Sequence, residues 1–111
     1  MEDLQNKDKT IQIIWSVISK TFGTNFFSIV NFWEADNYAL GFKKDTKLIY
    51  ISTWNFREYQ GSEIKCYSEF EIIDAKSLDT KKNVKQMNEI LLDNLLDEMK
   101  NFIRADEEKF E

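Results

Sequence analysis

The chain has 111 residues, 42% hydrophobic and 14% aromatic, with fifteen basic and twenty acidic side chains and a net charge of −5. That composition predicts one packed domain over 1–111 and opposes binding to phosphate backbones or to an anionic membrane surface. There is no histidine and one cysteine, Cys66, so Ser-His and Cys-His nucleophiles are excluded and a lone thiol cannot form the thiolate cluster of a zinc site.

The first predicted element is a helix over about residues 8–22. Ile11, Ile14, Trp15 and Ile18 follow i, i+3, i+4, i+7 spacing, and Phe22 extends the stripe. Gly23 is placed to end it, because only glycine adopts positive φ cheaply. A strand follows from Phe26 to Glu34, rich in aromatic and β-branched residues, and Asp36-Asn37 supplies a turn. Tyr38 to Phe42 alternates large and small side chains. Lys43 to Thr46 is a polar turn, and Lys47 to Trp54 is a third strand with apolar residues on both faces.

Residues 55–63 are polar, contain Gly61 and read as a loop. Lys65 to Ile73 is the fourth strand. There Cys66, Phe70 and Ile72 alternate with Lys65, Tyr67, Glu69 and Glu71, the pattern of a half-exposed antiparallel strand. The last element reads as a long helix over about 80–104. Val84, Met87, Leu91 and Leu95 form a stripe, continued by Met99, Phe102 and Ile103. Short connections between strands predict an antiparallel meander. The fold class is therefore α+β: a four-stranded antiparallel sheet flanked by an N-terminal and a long C-terminal helix.

The single cysteine fits a reducing compartment. Met1 to Lys7 is acidic and polar, unlike a secretory leader, and no apolar run approaches the roughly 18 residues of a membrane span. The expected location is the cytoplasm. No phosphate-cradling glycine motif is present, so no cofactor is expected. Carboxylates are the candidate acid–base groups: Glu34 and Asp36 near the first hairpin, and Glu69 with Glu71 about 6.5–7 Å apart along one strand face. The competing reading is that they solvate an exposed sheet. Cys66 faces inward and reads as a small hydrophobe. The segment Thr53 to Gln60 combines Trp54, Phe56, Arg57 and Tyr59, a composition enriched at protein interfaces. The alternative is that Trp54 and Phe56 fold back onto the core.

The segments Phe26 to Asp36, Ala39 to Phe42, Leu48 to Thr53 and Tyr67 to Ile72, with the chain's size, acidity and element order, resemble the small immunity proteins of bacterial toxin–immunity systems. The resemblance implies a non-enzymatic cytoplasmic protein that binds and neutralises one cognate toxin. It carries no diagnostic motif and transfers no site residue. The expected partner-binding residues come from the composition argument alone: Trp54, Phe56, Arg57 and Tyr59 as anchors, with Glu69, Glu71 and Asp36 supplying negative charge toward a basic partner. A homodimer or other homo-oligomeric interaction module is the alternative of another class. A phage-encoded inhibitor of a host protein and a small carboxylate enzyme are the others.

Overall fold

The computed structural model describes residues 7–30, 37–58, 61–74 and 76–105. Helix α1 spans Lys9–Phe22. The Asp8 carboxylate opens it by accepting the Thr10 backbone N–H at 3.0 Å. Gly23 closes it with φ 110, a conformation that strains any side chain, and its N–H donates to the Ser19 carbonyl. The predicted stripe is the buried one: Ile11, Ile14 and Ile18 are 1–2% exposed, each worth about 1.5–3 kcal/mol of burial.

Among the described residues five strands follow, one more than expected: β1 (Ser28–Val30), β2 (Ala39–Lys44), β3 (Lys47–Ser52), β4 (Lys65–Ile73) and β5 (Thr80–Leu91). They form one antiparallel meander in the order β1-β2-β3-β4-β5. β1 starts two residues later than predicted. Phe26 and Phe27 instead join a ring cluster with Phe22 at the end of α1, with centroids 4.9–5.6 Å apart. β3 ends at Ser52, and Trp54–Phe56 form one 3-10 turn.

The prediction of a helix over 80–104 is corrected. Residues 80–91 are strand, and only Leu92–Arg104 form helix α2. The cause is irregular pairing. Three register shifts between β4 and β5 let twelve residues run beside nine. As a result Val84, Met87 and Ile90, which pack on the core, lie three residues apart instead of two. Bulges in a strand therefore reproduce the spacing of a helical stripe.

Register and alternation place Leu40, Phe42, Ile49, Ile51, Cys66, Phe70 and Ile72 on one sheet face. Both helices cover that face. Ile11, Ile14 and Ile18 of α1 and Leu95, Met99 and Phe102 of α2 join those residues in one core. Lys47, on the same face, fastens the end of α2. Its Nζ donates to the carbonyls of Phe102 (2.8 Å), Ile103 (3.0 Å) and Ala105, where a cation is favoured by the helix dipole. The opposite face carries its own small cluster of Val30, Leu48 and Ile73, with Leu78 packed against it. Leu78 has φ 65. A turn holds it there, with Asp74 Oδ1 accepting the backbone N–H groups of Lys76 and Ser77 at 2.9 Å each. Among the described residues, no helix is long and apolar enough to cross a membrane.

Candidate protein-binding surface

The face turned away from the helices presents Tyr50, Tyr67, Glu69 and Glu71 in a continuous strip. Tyr50 pairs with Glu69 across β3 and β4, and Ser52 pairs with Tyr67. The rings of Tyr50 and Tyr67 meet edge to face, with centroids 6.1 Å apart. Tyr67 Oη donates to Glu69 Oε2 at 2.7 Å. The other oxygen, Oε1, accepts from Asn83 Nδ2 of β5 at 3.0 Å. The Thr80 hydroxyl donates to Glu71. Both carboxylates are therefore oriented by uncharged donors, Tyr67 on β4 itself and Thr80 and Asn83 on β5. Partial burial, the bond to Glu69 and the surrounding carboxylates together push the Tyr67 hydroxyl up to about 12.

At the end of the strip the chain leaves β3 and turns through Trp54. The Trp54 N–H donates to Ser52 Oγ at 3.3 Å, which starts the turn. Trp54 is 50% exposed, and its ring is nonetheless fixed. Arg57 stacks over it at 3.7 Å from guanidinium to centroid, and Nη1 of Arg57 donates to the Trp54 carbonyl at 2.7 Å. Tyr38 meets the indole edge to face at 5.3 Å. The question left open between core and surface thus divides. Trp54 and Arg57 are exposed, while Phe56 is half-buried.

The structure brings Trp54, Phe56 and Arg57 together at one end of the sheet and sets Glu69 and Glu71 side by side on β4. Tyr59, Asp36 and Glu34 lie outside the described residues. Sequence reasoning missed Tyr38, Tyr50, Tyr67, Thr80 and Asn83. The alternation along β4 already set Tyr67 outward beside Glu69. Thr80 and Asn83 had no such signal, because they were read as helix.

Other chemistry is weakly supported. Cys66 is fully buried in the core, and burial pushes its thiol up to about 12, far from a nucleophile's range. No group of three or more metal-ligating side chains occurs among the described residues. A shallow depression of about 380 Å3 at the head of α2 is lined by Ser62, Glu63, Ile64, Leu91, Leu92, Asp93 and Asn94. It contains none of the predicted site residues. No protein-family model, curated protein or solved structure matches the chain.

Proposed function

We propose that this chain is a non-enzymatic binding domain that grips a basic protein partner, acting as an immunity protein that neutralises a cognate bacterial toxin in the cytoplasm. One observation carries the reading: a half-exposed tryptophan packs between Arg57 and Tyr38 just past the end of β3, in a sheet whose open face carries Tyr50, Tyr67, Glu69 and Glu71 together with Lys43 and Lys65. Tryptophan, tyrosine and arginine dominate the energetics of protein interfaces. A side chain already fixed in the free protein loses less entropy on docking. Glu69 and Glu71 are likewise held in place before any partner arrives. Their charge would steer a cationic partner and speed association at low salt. The buried, free Cys66 agrees with a reducing compartment.

The direct test uses the product of the neighbouring reading frame, titrated calorimetrically with the purified chain. Binding is expected to weaken about 30-fold or more in Trp54→Ala, the loss of a hot spot of about 2 kcal/mol, with the thermal transition retained. Unchanged affinity in that variant would remove Trp54 from the interface. A stable dimer of the chain alone, seen by sedimentation at micromolar concentration, would favour self-association instead.

A further inference from the structure

Strand β5 is held in a conformation that its own residues do not favour. Seven of its twelve residues, Lys81, Lys82, Lys85, Gln86, Met87, Glu89 and Leu91, are good helix formers, whereas Thr80, Val84 and Ile90 alone are strong strand formers. The strand lies at the sheet edge and is interrupted by three register shifts. Only Ile90 is buried. What keeps it extended is its ladder to β4, the packing of Val84, Met87 and Ile90 on the core, the bonds of Thr80 to Glu71 and Asn83 to Glu69, and the ion pairs of Glu89 with Lys65 and of Lys85 with Glu98.

The junction with α2 is abrupt and is tied to the sheet by the Leu92 N–H, which donates to the Ile64 carbonyl at 2.9 Å. No residue separates strand from helix, and Leu91, at the helix start, provides no side-chain cap. Leu91 already has φ −75, within the helical range, and its ψ of 148 alone makes it extended. Turning that one angle would let α2 grow backwards. Val84, Met87 and Leu91 would then continue the Leu95, Met99 and Phe102 stripe on one helical face.

We infer that residues 80–91 form a strand-to-helix switch, in which β5 detaches from the sheet and becomes an N-terminal extension of α2. Detachment uncovers the edge of β4, a strand with clean alternation over Lys65–Ile73, and withdraws Asn83 from Glu69 and Thr80 from Glu71. The switch stands apart from the partner-binding reading and is tested without a partner.

The test uses the full chain in two measurements. In the first, native-state hydrogen exchange is followed by NMR. Amides of β5 are expected to exchange through their own opening, at least about 100-fold faster than those of β3, which open only with the whole fold. In the second, the exposed residues Thr80, Asn83 and Asn88 are changed together to alanine. Helix propensities shift the strand–helix balance by about 30-fold in that triple variant. Its circular dichroism at 222 nm should rise toward twelve further helical residues beyond the 14 of α1 and 13 of α2. Both results together support the switch. Exchange of β5 only with global unfolding would overturn it. So would a triple variant without helix gain, because fraying into coil or simple destabilisation adds no helical signal.

Discussion

Replacing Lys47 by methionine keeps the length and apolar stem of the side chain and removes its ammonium. In the native fold that group satisfies the carbonyls of Phe102, Ile103 and Ala105 and lies 5.5 Å from the Phe102 ring centroid. Helix-end carbonyls otherwise need water or a cap. A cation at a helix C-terminus contributes about 1 kcal/mol, up to about 2 when partly buried. Hydrogen bonds to a charged group contribute about 1.5–3 kcal/mol net. These contributions overlap, so Lys47→Met should cost about 2–3 kcal/mol. For a domain of this size each kcal/mol moves the Tm by about 4 °C, which gives a drop of about 8–12 °C in a calorimetric scan. The control is Lys85→Met. Lys85 pairs with Glu98, but both lie toward solvent, and such pairs contribute less than about 1 kcal/mol. If the two variants melt together, the ammonium of Lys47 is not fastening α2 and the reasoning is refuted.

Two further outcomes follow from the titrating groups. Cys66 should resist a thiol reagent such as dithionitrobenzoate in the native protein and react fully in urea, because it is buried and its thiol is pushed up to about 12; fast native labelling would place it at the surface. The Tyr67 hydroxyl is held protonated to about 12 in the fold against an ordinary value of 10. Its contribution is therefore complete below pH 10 and is lost as pH rises from 10 toward 12. Urea midpoints measured between pH 9 and 11.5 should fall less steeply in Tyr67→Phe than in the unaltered chain, and equal slopes would contradict the Tyr67–Glu69 geometry.

Where local pattern and pairing agree, the fold was legible in the sequence. α1 lies within one residue of the expected range, because its apolar period and closing glycine point the same way. β4 lies where alternation set it, Lys65–Ile73. Residues 80–91 were misread for a physical reason. Their pairing slips three times against β4, and a slipping strand loses the two-residue period by which strands are recognised. That error also hid Thr80 and Asn83, the donors that orient Glu71 and Glu69. At Trp54 composition identified the residue but not its surroundings. The stacking of Arg57 depends on a 3-10 turn at the end of β3, and Tyr38 arrives from the neighbouring strand end through the bond between the Thr53 N–H and the Tyr38 carbonyl.

The two rims of the sheet are both poor templates. The described part of β1 is three residues long. β5, though longer, carries three lysines and an uneven row of free backbone groups. A flat, regular rim recruits further chains into ribbons and fibrils, while a short or crooked one gives an incoming strand no matching partner. In a chain without a single proline, irregular pairing along β5 does what proline does on other sheet edges: it spoils the regular row of backbone groups that an incoming strand would need.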